Sequence, residues 1–243
     1  MTRYWRPSFA PDRAASFDDV LDVIRSFQWL LSLLAGGPVG WDDLRAQLIQ
    51  SVSHANTDVT ITREVELIVM MSGYQVSFDQ RYISDFLVLL RDVEDGWPKI
   101  MSTWIGYYRK MYDVLNLYFA VVFGEGLLEQ HKFLFLAQAL EGYHRAKTGS
   151  KDKRTSLAQR LRKITESVKD FVSSFVADLP TFCATVKDAR NYLTHPGGGE
   201  KKEFDFPVLW RQVRTTLEIC FLRDIGTQEE IISRVARRHQ FRH

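Results

Sequence analysis

The spacing of apolar residues after Trp97 constrains the fold of this chain more than any other feature. Through residue 122 they recur at steps of three and four: Ile100, Trp104, Tyr107, Tyr108, Met111, Leu115 and Phe119. Such steps place side chains on one face of a helix, whereas a half-buried strand alternates. Similar patterns occupy residues 127–145, 155–177 and 181–193 and follow Asp205 and Thr227. The sequence therefore predicts a bundle of five or six helices.

Several polar and small residues predict where these helices begin and end. Gly124 and Gly126 separate the first two helices, and residues 147–153 form a loop. Asp205 is suited to cap the helix that contains Pro207 in its first turn. Thr227 with Glu230 predicts a capping box for the last helix.

The first 92 residues follow a different pattern. Ser16 opens a capping box, and a helix is expected from there through Leu34, before Gly36. Residues 43–54 fit a helix or a strand, whereas residues 58–71 are β-branched and alternate, which indicates a strand. The predicted fold class is therefore mainly α, with a smaller α+β N-terminal segment at residues 1–92 and a helical domain at residues 93–243.

Composition limits the possible functions. Of the 243 residues, 45% are apolar, enough for a substantial buried core. The net charge is only +2, so affinity for nucleic acid would have to come from local patches. The N-terminus resembles no signal peptide, and the longest apolar stretch is too short to span a membrane, which favours a cytoplasmic location without membrane contact. Cys183 and Cys220 lack metal-type spacing and are expected to be buried free thiols.

Residues 190–199, RNYLTHPGGG, contain the side chains best suited to chemistry. His195 can give or take a proton near neutral pH, and the planar charge of Arg190 matches a phosphate. Asn191 adds a neutral donor and acceptor. Pro196 and the glycines after it predict that the helix stops at His195, which could then turn back toward Arg190.

The same spacing also has a purely structural interpretation. Arg190 and His195 are five residues apart, which separates them by about 140° on an ideal helix. A histidine at a helix C-terminus is also favoured by the helix dipole. The spacing recurs between Arg234 and His239 and between Arg238 and His243 in the C-terminal tail. Spacing alone therefore favours a simple helix end.

Basic residues cluster in two places. The first cluster consists of Arg145, Lys147, Lys151, Lys153, Arg154, Arg160, Arg162 and Lys163. The second consists of Arg234, Arg237, Arg238, His239, Arg242 and His243. Both would attract phosphates, although a solvated loop and a frayed tail have similar compositions. Glu141, beside the first cluster, could extend the active site, but the favoured expectation is a structural ion pair with an arginine-bearing helix.

Three segments resemble one known family. RNYLTH at the end of a late helix resembles the R-x4–6-H motif of HEPN domains. Residues 133–145, FLFLAQALEGYHR, followed by a basic loop, resemble the HEPN domain of ApeA-like phage-defence proteins. Residues 87–104 resemble the junction between the ApeA N-terminal domain and its HEPN domain, which would make residues 1–92 the remnant of a larger domain. The resemblance covers roughly residues 95–238.

The resemblance implies a metal-independent endoribonuclease that needs no cofactor and acts in antiphage abortive infection. Its catalytic residues would be Arg190, Asn191 and His195. Its substrate contacts would be Tyr143, His144, Arg145, Lys147, Lys151, Lys153 and Arg154. The RNA 2′-OH would attack the adjacent phosphorus while His195 moves a proton and Arg190 stabilises the developing charge. Because in-line attack needs a flexible backbone, single-stranded or looped RNA is expected, with tRNA as one candidate.

The resemblance also implies partners. Acid–base cleavage needs two proton-transfer groups, and one motif supplies one histidine, which fits a homodimer with a composite active site. A phage-derived trigger is a further expected partner. Two alternatives stay open: an inert HEPN-like module that binds RNA or protein, and a helical scaffold in which RNYLTH only ends a helix.

Overall fold

The computed structural model describes residues 16–40, 45–54, 57–66, 86–149, 155–195 and 203–238. The N-terminal elements are α1 (Phe17–Ala35), β1 (Arg45–His54), β2 (Thr57–Glu66) and α2 (Leu90–Val93), followed by a 3-10 turn (Glu94–Gly96). The helical region then comprises α3 (Trp97–Lys110), α4 (Tyr112–Phe123), α5 (Glu129–Thr148), α6 (Leu157–Ser167), α7 (Lys169–Val172), α8 (Leu179–Thr194), α9 (Phe206–Asp224) and α10 (Glu229–Arg238). The predicted mainly-α class is confirmed.

Helix α1 belongs to the same core as the later helices. The predicted capping box is present, because Ser16 Oγ accepts from the Asp19 N–H and Asp19 Oδ2 accepts from the Ser16 N–H, both at 3.1 Å. Within α1, the Ser26 carbonyl accepts a bond from Trp104 Nε1 at 2.8 Å. The buried cluster of the bundle includes Leu30 of this helix. The N-terminal segment predicted as a separate α+β unit is therefore not seen, because its helix packs into the bundle.

The two strands form one antiparallel hairpin. β1 pairs with β2 from Arg45 opposite Glu66 to His54 opposite Thr57. Residues 43–54, for which helix and strand were both possible, thus contain β1. The strand expected within residues 58–71 is β2, which begins one residue earlier and ends at Glu66. The domain boundary at residues 92 and 93 stays a prediction.

Two of the expected helices are divided. The helix predicted at residues 97–122 breaks at Met111, which has φ −106° and ψ 13°. The helix predicted at residues 155–177 breaks at Val168, between α6 and α7. Both residues are buried, so the apolar pattern continues across each break and gave no sign of it.

Helices α5 and α9 form the centre of the bundle. α5 packs against α4, α6, α8 and α9. The rings of Phe133 and Phe206 lie 5.5 Å apart and join α5 to the start of α9. Each large apolar side chain that is fully buried contributes about 1.5–3 kcal/mol. The expectation of buried free thiols at Cys183 and Cys220 is confirmed.

A buried ion pair ties α9 to two other elements. The fully buried Glu218 carboxylate accepts from Tyr118 Oη of α4 at 2.7 Å and from Arg214 Nε at 2.9 Å. Arg214 Nη2 also donates to the Gly36 carbonyl at 2.9 Å, at the end of α1. A desolvated charge is tolerated when its lone pairs and protons are bonded in this way.

Helices α9 and α10 differ in how their N-terminal ends are capped. Asp205 caps α9 as predicted, since its Oδ1 accepts from the Val208 N–H at 3.0 Å. The capping box predicted at Thr227 is wrong. α10 begins at Glu229, so Thr227 precedes the cap position, and its buried hydroxyl makes no hydrogen bond to any described residue.

The second basic cluster is partly structural. Arg234 of α10 donates to the Asp92 carboxylate, and Arg238 donates to the Phe86 carbonyl. These bonds fasten α10 to the segment before α3. His239, Arg242 and His243 lie outside the described residues. In the part of the chain that the structure describes, no helix has both the length and the apolar character to cross a membrane.

Candidate active site

Helix α8 carries the RNYLTH motif and packs into the core through its apolar face. Its apolar residues were predicted to share one face: Phe182, Val186 and Ala189 are buried there, and Leu193 is half-buried. The helix ends at Thr194, and His195 is the C-cap with φ −130° and ψ 68°. The prediction of a stop at His195 is confirmed, because the residue before a proline avoids helical backbone angles.

The Arg190 guanidinium is held on one side and open on the other. Its Nη1 donates to Asn191 Oδ1 at 3.3 Å, and its Nη2 lies 4.0 Å from Glu141 Oε2 on α5. The side chain keeps 31% of its surface exposed. Its Nε is buried without a hydrogen-bond partner among the described residues. Arg190 therefore retains donors that an anion could use.

Glu141 joins three helices through arginine contacts. Its Oε1 accepts from Arg145 Nη2 of α5 at 2.5 Å and from Arg160 Nη1 of α6 at 3.0 Å. Its Oε2 faces Arg190 of α8. Arg160 keeps only 4% of its side-chain surface exposed, and Glu141 keeps 18%. The ion pair expected for Glu141 is thus confirmed, and it involves three guanidinium groups.

Among the described residues of this cluster, positive charge exceeds negative charge. Three guanidinium groups surround one carboxylate, and His144 adds no charge at neutral pH. The His144 ring is buried, and both its nitrogens lack hydrogen-bond partners among the described residues. Burial, with Lys163 and Arg160 adding to it, lowers the pKa of His144 and keeps the ring neutral. Partial desolvation strengthens the attraction of such a cluster for a phosphate.

His195 follows the cluster along the chain, but its ring is not bonded to Arg190. Its N–H donates to the Asn191 carbonyl at 2.9 Å, and the residue as a whole is exposed. Among the described residues, no hydrogen bond or ion pair joins its ring to Arg190. The structure therefore brings together Arg190, Asn191 and Glu141, with an exposed histidine one residue past the helix.

The residues expected to contact substrate divide into two groups. Arg145 and Lys147 are exposed on the last turns of α5, although Lys147 Nζ also pairs with Asp224 Oδ1 at 3.0 Å. Tyr143 lies in the core instead, where its hydroxyl donates to Asp224 Oδ2 at 2.9 Å. Burial likewise leaves little of His144 accessible. Lys151, Lys153 and Arg154 lie outside the described residues.

Sequence reasoning missed the roles of Arg160 and Asp224. Arg160 was counted in the first basic cluster, which was expected to attract phosphates, yet it is buried against Glu141. Its position gave a signal, because it falls on the helix face defined by Leu157, Leu161 and Ile164. Asp224, which accepts from Tyr143 and Lys147, ends α9 without any sequence motif around it.

Comparison with known families identifies the region that contains this site. Residues 134–231 match the family model for Apea-like HEPN. Residues 134–231 form an Apea-like HEPN domain. The match extends from α5 into α10, so Glu141 and the RNYLTH motif lie within the HEPN domain, whereas α3 and α4, which the resemblance had included, lie outside it. HEPN domains are a family of ribonucleases often found in defence systems. No curated protein and no solved structure matches the chain.

Proposed function

We propose that this HEPN domain is a metal-independent endoribonuclease. The observation that carries the proposal is the Arg190 guanidinium, which bonds to Asn191 and leaves other donors for an anion. It lies in a cluster where positive charge exceeds negative charge. The exposed His195 follows directly after the same helix. A phosphate-binding cation and a histidine able to transfer protons are the minimum needed to cleave RNA by proton transfer.

In the proposed reaction the RNA 2′-oxygen forms a bond to the adjacent phosphorus, and the bond from phosphorus to the 5′-oxygen breaks. His195 takes the proton from the 2′-OH or supplies one to the departing oxygen. Arg190 stabilises the negative charge that builds on the phosphoryl oxygens. Because Asn191 Oδ1 accepts from Arg190, its amide nitrogen can donate to the phosphate. The products are a 2′,3′-cyclic phosphate and a 5′-OH.

The proposed substrate is single-stranded or looped RNA, with tRNA as one candidate. Arg145 and Lys147 present positive charge on the surface of α5, and Lys151, Lys153 and Arg154 follow them in the sequence. An RNA strand that reaches Arg190 could bind this basic surface through its phosphates. The proposed setting is antiphage abortive infection, in which a phage-derived trigger activates the enzyme.

We further propose that the active site is completed in a homodimer. Cleavage needs one group to remove a proton and another to donate one, and each motif contains a single histidine. HEPN domains usually dimerise and bind RNA. Two motifs that face one cleft would supply both groups.

Cleavage of total RNA in EDTA tests the proposal. We expect the wild-type protein, with its trigger where one is needed, to produce fragments that end in 2′,3′-cyclic phosphates. Arg190→Ala and His195→Ala should each lower the rate about 100-fold or more. Arg109→Ala and His131→Ala are matched controls at exposed positions outside the two basic clusters and should leave the rate unchanged.

Three results would contradict this function. They are cleavage that depends on added Mg²⁺, equal rates for wild type and both motif variants, and absence of cleavage under activating conditions. Binding of RNA without cleavage would instead support an inert HEPN module. The observation that favours this second candidate is the lack of any described contact between the His195 ring and Arg190.

A further inference from the structure

The Arg190 guanidinium has one hydrogen bond within its own helix and one ion-pair contact from another helix. Its hydrogen bond to Asn191 comes from the adjacent residue of the same helix and ties the guanidinium to no other element. Among the described residues, the charged group facing it from another helix is the Glu141 carboxylate at 4.0 Å. An arginine side chain has several rotatable bonds, and an unsupported one samples many orientations.

Glu141 itself is firmly held. Arg160 is almost completely buried and donates to Glu141 Oε1 at 3.0 Å. A guanidinium with so little exposure favours keeping a hydrogen-bonded carboxylate beside it. Arg145 binds the same oxygen, which leaves Oε2 directed toward Arg190. The carboxylate is thus a fixed point between α5, α6 and α8.

We propose that Glu141 is the positioning residue of Arg190, and that Arg160 keeps Glu141 in place. The carboxylate attracts Nη2 without reaching hydrogen-bonding distance. It therefore orients the guanidinium while leaving its remaining donors for the scissile phosphate. The inference rests on the proposed ribonuclease function. Since Glu141 acts through Arg190, it need not touch the RNA.

Removing the carboxylate has two opposite electrostatic consequences, which make the proposal testable. Loss of a negative charge beside a phosphate site should strengthen RNA binding or leave it unchanged. Loss of the orientation of Arg190 should slow the chemical step, since small misplacements of catalytic groups are costly. A positioning role therefore predicts a fall in kcat without a rise in KM.

The test compares Glu141→Gln with Glu166→Gln. Glu166 on α6 forms an exposed pair with Arg162 at 2.8 Å, so the control removes the same charge from a glutamate–arginine pair elsewhere. We expect Glu141→Gln to lower kcat about 10-fold or more, with KM equal or lower. The control should keep wild-type kcat and KM. An unchanged kcat in Glu141→Gln, or a raised KM as the sole effect, would overturn the proposal.

The double variant Glu141→Gln, Arg160→Met covers the case in which a single substitution prevents folding. It removes the buried guanidinium together with the Glu141 carboxylate that it contacts, so that neither charge of this pair is left without the other. We expect this variant to fold and to show the same fall in kcat. A folded double variant with wild-type kcat would equally overturn the positioning role.

A spectroscopic measurement separates this inference from the proposed function. The ¹⁵N signal of the Arg190 Nε–H, assigned by its loss in Arg190→Lys, reports on the guanidinium without any need for activity. We expect the signal to shift and narrow in Glu141→Gln and to stay unchanged in Glu166→Gln. If Glu141→Gln leaves it unaltered, the positioning role is wrong even where RNA is cleaved. If it shifts while wild type and Arg190→Ala are equally inactive, only the ribonuclease function fails.

Discussion

At the scale of single residues, His144 occupies an unusual environment. The ring lies on α5 near the Glu141 cluster, is 6% exposed, and has no hydrogen-bond partner for either nitrogen among the described residues. Positive groups face it, so a protonated ring would be both desolvated and repelled. The folded domain therefore favours the neutral form, whereas the unfolded chain has no such preference.

This difference predicts how stability depends on pH. The pKa of His144 is lowered in the folded state, so below about pH 6.5 the unfolded chain binds the additional proton and gains stability relative to the fold. We expect the contribution of His144 to favour folding fully above that pH and to decline as the pH falls through it. Urea unfolding of His144→Leu between pH 7.5 and 5.5 should show a smaller loss of stability than wild type. His131→Gln, at an exposed histidine, is the control and should lose as much stability as wild type. An equal loss in His144→Leu would contradict the prediction.

Arg214 and Glu218 allow a second prediction for single residues. Glu218 is fully buried, so Arg214→Met would leave its carboxylate without its cation. We expect a loss of about 3–5 kcal/mol in the free energy of unfolding. Arg162→Met breaks an exposed pair and should cost less than about 1 kcal/mol. Thermal or urea unfolding measures the loss of stability in each variant. Similar losses would contradict a larger contribution of the buried pair to the free energy of unfolding.

At the scale of secondary-structure elements, two glycines have opposite surroundings. Gly124 follows α4, and a Cβ there would lie 2.4 Å from the Ala120 carbonyl oxygen and 2.5 Å from Leu127 Cδ1. Gly106 lies within α3, and a Cβ there would meet nothing within 4 Å. Gly124 lets the chain after α4 lie close to Ala120 and Leu127, whereas Gly106 only weakens α3.

The same substitution should therefore change stability in opposite directions. Gly124→Ala forces a contact with backbone and is expected to lower the free energy of unfolding by about 1–3 kcal/mol. Gly106→Ala should raise it by about 0.5–1 kcal/mol, because alanine loses less entropy in a helix. Urea unfolding checks both, and a stabilised Gly124→Ala would show that the turn after α4 can relax.

At the scale of the whole molecule, the candidate site depends on the convergence of α5, α6 and α8. Each pair of these helices is in contact, and each helix supplies one member of the Glu141, Arg160 and Arg190 cluster. Tyr192 lies two residues beyond Arg190 and leaves 45% of its surface exposed. An exposed aromatic residue beside a proposed composite site is a reasonable position for a subunit contact.

The dimer proposal predicts a concentration-dependent activity. We expect specific activity to fall on dilution below the dimer dissociation constant measured by analytical ultracentrifugation. Tyr192→Glu should weaken the dimer and lower activity in parallel. Ile105→Glu, at a 49% exposed apolar position on α3 outside the matched domain, is the control and should change neither. Full activity in a monomeric sample would refute the composite site.

The sequence by itself determined the helical class, the stop at His195, the capping of α1 and α9, and the resemblance that the HEPN match confirms. These features depend on residues close together in the chain, where periodicity, proline and capping groups act locally. Only the tertiary structure decided the breaks at Met111 and Val168 and the packing of α1 into the bundle. It also decided that Arg160 turns inward to Glu141 and that Glu141 faces Arg190. Those outcomes depend on which buried surfaces and charges meet across distant segments, and no local pattern specifies that.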